Sequence, residues 1–160
     1  MGDGIVSDLT VSIDERHFED YVLGSVYEYG PVTLSDAEII EFAEKYDPQP
    51  FHTDPDAARG GPFGGLAASG LQSLAVAMQL FVGNFLSTTG SLGSPGLDEL
   101  RFLLPVRPND ELRLRVTVVE ARLSKSKPDR GLVRTKWELI NQDNAPVLSL
   151  LGLNFIAARN

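Results

Sequence analysis

Two periods divide the chain. Between residues 35 and 85 apolar side chains recur three and four positions apart, and between 112 and 157 they recur at alternate positions; the first spacing lines a helix face and the second a strand face. Ser35 with Glu38 three positions on forms a capping box, and Ile39, Phe42, Ala43 and Tyr46 continue at i, i+3, i+4 and i+7, which predicts a helix over 36–46. Pro48 and Pro50 stop it, since each lacks an amide donor and turns the preceding residue away from α. Residues 47–65, with prolines at 48, 50, 55 and 62 and glycines at 60, 61, 64 and 65, read as one long loop. A loop of that length in a compact domain is more often functional than idle. Leu71, Leu74, Ala75, Met78, Phe81, Val82 and Phe85 then resume the helical spacing behind Ser69 as N-cap, predicting a helix over roughly 70–86. It holds no charged residue, so it is expected to be surrounded by protein on most sides.

Residues 22–32 read as a short strand region. Beyond a connection marked by Gly90, Gly93 and Gly96, Leu112, Leu114, Val116 and Val118 alternate with Arg113, Arg115 and Thr117. Val133, Thr135, Trp137 and Leu139 alternate in the same way with Arg134, Lys136 and Glu138. Residues 141–144 are a turn cluster, and 147–157 a last, nearly all-apolar strand. Strand, short helix, long loop, buried helix and about four antiparallel strands make an α+β order, in which an antiparallel sheet wraps one apolar helix. Residues 1–17 have no clear period and stay unassigned between a disordered arm and an added strand. Residues 18–160 are taken as a single domain.

Composition narrows the function. At 160 residues and 42% hydrophobic content the chain suits one globular core. Its net charge of −8, from 22 acidic against 14 basic residues, opposes nucleic acid and anionic membrane surfaces as partners. The absence of cysteine excludes a disulfide framework, a thiolate nucleophile and Cys-ligated metal. No basic and apolar leader begins the chain, and no stretch approaches 18 uninterrupted apolar residues; a cytoplasmic, soluble protein is the expectation. Two histidines, His17 and His52, make a poor zinc set, and no G-x-G-x-x-G lies between a strand and a helix. Neither a metal nor a nicotinamide cofactor is therefore expected.

The densest chemistry is Tyr46-Asp47-Pro48-Gln49-Pro50-Phe51-His52-Thr53-Asp54-Pro55. A carboxylate and an imidazole five apart in a stiffened loop can face one small site, as proton transfer through a bound water requires. From spacing alone, a helix-terminal aspartate and a loop histidine bonded to backbone explain the pair at least as simply. His17 lies outside every motif and reads as structural or exposed.

This stretch, together with Phe18-Glu19-Asp20-Tyr21 and Gly24 before it and Phe63-Gly64-Gly65-Leu66-Ala67 and Gly70 after it, resembles the MaoC-like dehydratase family, which includes the (R)-specific enoyl-CoA hydratases. Leu100-Arg101-Phe102, Pro105-Val106 and Pro108-Asn109-Asp110 are similar to the strand that follows the central helix in that family. The resemblance spans about residues 18–157. It implies a hot-dog fold, a homodimer with the site near the subunit interface, and hydration of 2-enoyl thioesters or dehydration of 3-hydroxyacyl thioesters. Coenzyme A would enter as part of the acyl-CoA substrate and not as a separate cofactor.

Carried onto this chain, the resemblance makes Asp47 and His52 the catalytic pair that holds and activates water. The N–H of Gly70 becomes the donor to the thioester carbonyl, with Ser69, Gln49, Phe63 and Gly65 as substrate-binding neighbours. A helix N-terminus suits an oxyanion, and Gly70, without a side chain, suits close approach. Asp47 is taken as the ionised partner that accepts the water's proton and His52 as the group that completes the grip on the water or passes a proton to the α-carbon, with the division of steps between the two left open. The family usually has Gly before the aspartate, Asn two after it and often His before the helix glycine, where this chain has Tyr46, Gln49 and Ser69. Arg59, Arg101, Arg107 and Lys125 are candidates for a coenzyme A phosphate, with a solvated surface charge the simpler reading of each. A hot-dog thioesterase and a non-catalytic acyl-binding subunit are the rival readings. The central helix carries no Asp or Glu, which disfavours the first.

Overall fold

The computed structural model describes Ser7 and residues 9–159. Five strands, β1 (Val26–Val32), β2 (Gly96–Phe102), β3 (Leu112–Leu123), β4 (Arg130–Ile140) and β5 (Pro146–Ala157), form one antiparallel sheet in the order β1-β3-β4-β5-β2. The alternation in β3 buries Leu112, Leu114, Val116 and Val118 on one face. The long helix of residues Gly70–Asn84 packs on that face against β1, β3 and β4. Its Val76, Ala77, Leu80 and Phe81 share a core with Trp137, Leu139, Leu148 and Leu150. This is the hot-dog arrangement, α+β as expected.

The segment expected to be loop is half helix. The capped helix α1 (Asp36–Tyr46) is followed by α2 (Pro50–Thr53) and α3 (Pro55–Arg59), and the long helix is therefore α4. Pro50, read from sequence as a helix breaker, and Pro55, read as a loop residue, each open a short helix. At a first helical position the missing N–H is no loss and the fixed φ is already helical. Asp54 completes the second start by accepting from the N–H groups of Asp56 and Ala57.

Three other expectations are corrected. The strand region begins at Val26 and not at 22, because Val22 and Leu23 sit exposed in a turn ahead of Gly24 at φ 85°. β2 includes the Leu100–Phe102 strand that the resemblance implied but starts earlier, at Gly96, in residues read as connection; as an edge strand paired only with β5, and with a register shift after Asp98, it lacks the alternation that betrays a strand. Helix α4 stops at Asn84 because its last carbonyls are claimed from outside. Arg16 Nη1 donates to the carbonyls of Asn84 at 2.5 Å and Phe85 at 3.0 Å, and the Tyr21 hydroxyl donates to Phe85 at 3.0 Å. A guanidinium at a helix C-terminus also meets the negative end of its dipole.

That contact settles the described part of the N-terminal arm. Residues 9–17 form neither a strand nor a loose end. Arg16 is buried and its Nε donates to Val11 O at 2.9 Å, while Thr88 N donates to Ile13 O at 3.2 Å. His17 caps the short 3-10 helix Phe18–Asp20 through its own N–H, which donates to Asp20 Oδ2 at 2.8 Å, and its ring meets Glu15 O. The expectation for residues 1–6 and 8 lies outside the described residues.

Among the described residues, one face of α4 is left uncovered. Leu71, Ala75, Met78 and Val82, spaced along one stripe, are exposed, as are Phe102, Leu103 and Leu104 at the end of β2. A helix without charges was expected to be enclosed on most sides. The fold itself encloses only the sheet-facing side.

Candidate active site

The end of α1, the short helix α2 and the start of α4 converge on one cavity of about 390 Å³. Asp47 is the C-cap of α1, where its own N–H still bonds Ala43 O while its backbone has left the helix. Pro48 and Pro50 bend the chain back over so short a distance that His52, in α2, faces the same space. His52 Nε2 lies 3.4 Å from Asp47 Oδ2.

The hydrogen bonds of the imidazole assign its tautomer. His52 Nδ1 lies 2.6 Å from the carbonyl oxygen of Ala67. A carbonyl only accepts, so Nδ1 carries the proton and donates it there. In the neutral ring the lone pair is then on Nε2, on the side of Asp47 and the cavity. The ring is buried, with Phe51 edge-on at 4.6 Å and Phe63 roughly parallel at 6.3 Å between centroids.

Asp47 is held by two of the three residues at which the chain departs from the family pattern. Ser69 Oγ donates to Oδ2 at 2.7 Å and Gln49 Nε2 donates to Oδ1 at 2.7 Å. The Ser69 hydroxyl also accepts from Leu71 N at 3.3 Å, as the N-cap of α4. A chain of hydrogen bonds thus runs from the helix N-terminus through Ser69 to the carboxylate, each bond polarising the next. The Ser69 hydroxyl is the main reason that the Asp47 carboxyl sits below the ordinary carboxylate range, with Gln49 and the nearby His52 lowering it further against the opposing effect of burial.

A depressed native value means that ionised Asp47 stabilises the fold above the ordinary carboxylate range, and that this contribution fades as pH falls through the native value. Ser69→Ala removes the main cause. The midpoint of the Asp47 carboxyl ¹³C titration is expected to move up in that variant and to return with Ser69→Thr; an unmoved midpoint would remove Ser69 from the role.

Of the residues proposed from sequence, Asp47, His52, Gln49, Ser69, Gly70 and Phe63 all line the cavity. Gly65 does not: its carbonyl points away and accepts from Arg107 Nη1 at 3.0 Å. Gly70 stands at the first position of α4, and Ser69 already takes the N–H groups of Leu71, Gln72 and Ser73, which leaves the Gly70 N–H as the open donor of that turn. Its lack of a side chain has a different cause from the one expected. A Cβ at Gly70 would lie 2.7 Å from the Phe102 ring, so the bare α-carbon makes room for an aromatic wall of the cavity.

Sequence reasoning missed the Ala67 carbonyl, which has no side-chain signal, and Phe102 with Leu103 and Leu104, which line the cavity from β2. Arg107, read as a surface charge or a phosphate ligand, is bonded to backbone instead. Arg59 pairs in the open with Asp56, and Arg101 bonds only its neighbour's carbonyl. Among the described residues, no three His, Asp or Glu side chains gather into a metal-binding group, and no helix is long and apolar enough to cross a membrane.

Comparison with known proteins gives this geometry a context. Residues 20–138 match the family model described as MaoC like domain. The crystal structure of a MaoC-like dehydratase from Rhodospirillum rubrum superposes with a TM-score of 0.84 at 36% identity, covering 91% of this chain and 99% of that one. An (R)-hydratase from Pseudomonas aeruginosa superposes with a TM-score of 0.71 at 25% identity, covering 90% and 86%. Nodulation protein N of Rhizobium meliloti is 30% identical over 125 residues, 74% of this chain and 75% of that protein.

Proposed function

The chain belongs to the MaoC-like domain family, and from that premise we propose that it is a hydro-lyase adding water to 2-enoyl thioesters, or removing it from 3-hydroxyacyl thioesters, with coenzyme A as the carrier. Relatives named as a dehydratase and an (R)-hydratase support the hydration chemistry. The observation that carries the reading is the Asp47 carboxylate and the His52 Nε2 lone pair, 3.4 Å apart at the N-terminus of α4.

In this reading a water donates one hydrogen to Asp47 Oδ2 and the other to His52 Nε2. Its oxygen attacks C3 of the enoyl group as the proton passes to Nε2. The electron pair of the double bond moves towards the thioester carbonyl, and the Gly70 N–H meets the oxyanion with the dipole of α4 behind it. The imidazolium then returns the proton to C2, giving the 3-hydroxyacyl thioester with atoms and charge balanced. In this proposal His52 is the base, which chooses between the two assignments that the sequence left open. A carboxylate accepting two hydrogen bonds is stabilised in its ionised form and is a poorer proton acceptor; it orients the water and balances the imidazolium charge. Loss of the conjugated enoyl-thioester absorbance on mixing with crotonyl-CoA and longer homologues tests the reading. Appearance of free thiol instead would point to hydrolysis and the thioesterase alternative.

The partner expected from sequence is a second copy of the chain. The exposed stripe Leu71, Ala75, Met78 and Val82 lies beside Phe102, Leu103 and Leu104, and β2 offers an unpaired edge next to it. An apolar face with a free strand edge is a surface that association buries. Light scattering on the purified protein is expected to give twice the chain mass, with Met78→Asp shifting it towards one; a monomer in the unmodified protein would end this reading.

A further inference from the structure

Arg107 follows β2 in sequence but acts on the far rim of the cavity. Its Nη1 donates to the carbonyls of Gly65 at 3.0 Å and Leu66 at 3.3 Å, and its Nη2 donates to the carbonyl of Phe63. The arginine is held in turn: its N–H donates to Asp110 Oδ2 at 2.8 Å, and Val106 O beside it accepts from Ala68 N at 2.9 Å. Among the described residues its guanidinium forms no ion pair, so its partners are backbone carbonyls alone. Three carbonyls in fixed directions match a planar fork, and an ammonium on a flexible stem cannot reproduce them.

The segment so held has, among the described residues, two other backbone bonds, Gly64 N to Gly61 O at 3.2 Å and Ala67 N to Phe51 O at 3.1 Å. It follows Gly60 and Gly61 and contains Gly64, at φ 65°, and Gly65, and glycines give an unpinned chain many conformations. Yet it presents Phe63 in a defined pose, edge-on to Phe51 at 5.2 Å and nearly parallel to the His52 ring. Phe63 lines the cavity.

We propose that Arg107 is a positioning residue of the site: by pinning residues 63–66 it makes Phe63 a fixed wall that limits the size of acyl group the cavity admits. This rests on the thioester reading above. Without the pin, the glycine-rich segment moves outward, the wall recedes and longer chains enter.

The test compares wild type with Arg107→Lys, Arg107→Ala and Phe63→Ala. In the free protein, amide hydrogen exchange at residues 63–67 is expected to quicken by about tenfold or more in both arginine variants. The ratio of kcat/KM for an eight-carbon over a four-carbon enoyl-CoA is expected to rise by about tenfold in all three, on the order of the discrimination one or two methylenes carry in an apolar pocket. Lysine should not rescue. Should Arg107→Ala not fold, Arg107→Lys and Phe63→Ala carry the comparison. Protected amides in Arg107→Lys, or an unchanged ratio in either it or Phe63→Ala, would overturn the proposal. Calorimetric binding of saturated four- and eight-carbon acyl-CoA gives the same ratio without turnover. Binding without hydration would remove the hydratase reading and leave the wall testable, whereas no binding of either ligand would overturn both.

Discussion

Asp47→Asn is expected to lower kcat/KM for hydration by a factor of about 10² or more, and His52→Ala at least as strongly. The two losses arise differently. Removing the imidazole removes the proposed base and the proton that must later reach C2. The asparagine keeps the shape of the carboxyl but has no charge to balance an imidazolium, and its amide hydrogens compete with those that Ser69 and Gln49 now donate. Both variants are expected to stay folded with a modest fall in unfolding temperature, since Asp47→Asn loses the stabilisation of the ionised carboxylate and His52→Ala the bond to Ala67 O. Asp47 is partly exposed at the end of α1, and His52 leaves a small gap lined by Phe51 and Phe63. Stopped assays with crotonyl-CoA beside thermal unfolding separate the two quantities. A rate within a few-fold of wild type in either variant sinks the assignment of that residue, and a matching fall in unfolding temperature would show a structural cause.

The largest effect on stability is expected at Trp137. It is the one tryptophan of the chain, fully buried in β4, with Phe81 of α4 against it at 4.3 Å between ring centroids. Its Nε1 donates to Thr135 Oγ1 at 2.8 Å, and the bare Gly152 across the sheet makes space for the indole, since a Cβ there would lie 3.1 Å from Nε1. Trp137→Ala removes the side chain that joins helix to sheet, leaves a cavity between rigid elements and strips the Thr135 hydroxyl of its donor. Large-to-small core changes of this kind cost about 3–5 kcal/mol, or roughly a 10 °C fall in melting temperature for a domain of this size. Far-ultraviolet circular dichroism measures it, because the variant has lost its fluorophore. Trp137→Phe is expected to lose less, and a loss below ~1 kcal/mol in the alanine variant would mean that the core closes over the gap.

Where a side chain's position obeyed a period, the sequence announced it. The capping box at Ser35 and the alternation around Leu114 and Trp137 each place a residue in the core; the stripe from Leu71 to Val82 marked the helix but not its core face, which is Val76, Ala77, Leu80 and Phe81. The site was legible in its side chains: Asp47, His52, Gln49, Ser69, Gly70 and Phe63 meet at one cavity. What stayed hidden was of two kinds. Backbone groups such as the Ala67 carbonyl, which sets the tautomer of His52, carry no residue-type signal. Long-range packing, such as Phe102 over Gly70 and Arg107 on the carbonyls of 63–66, joins segments more than thirty positions apart. Proline misled for a local reason, since a residue that ends one helix also begins the next at Pro50 and Pro55. The charge-free α4 misled because apolar composition alone does not say which faces of a helix the single chain covers.

The two ends of α4 are tied down by different parts of the chain. Ser69 at its start belongs to the cavity, and its last carbonyls rest on Arg16 and Tyr21. Fifteen residues make a strut about 22 Å long, and a strut transmits slack along its axis instead of absorbing it. Trimming the N-terminus back past Arg16 would therefore loosen a remote anchorage and let the carboxylate at the other end drift out of aim, so that a cut made for convenience at the chain's beginning is paid in turnover.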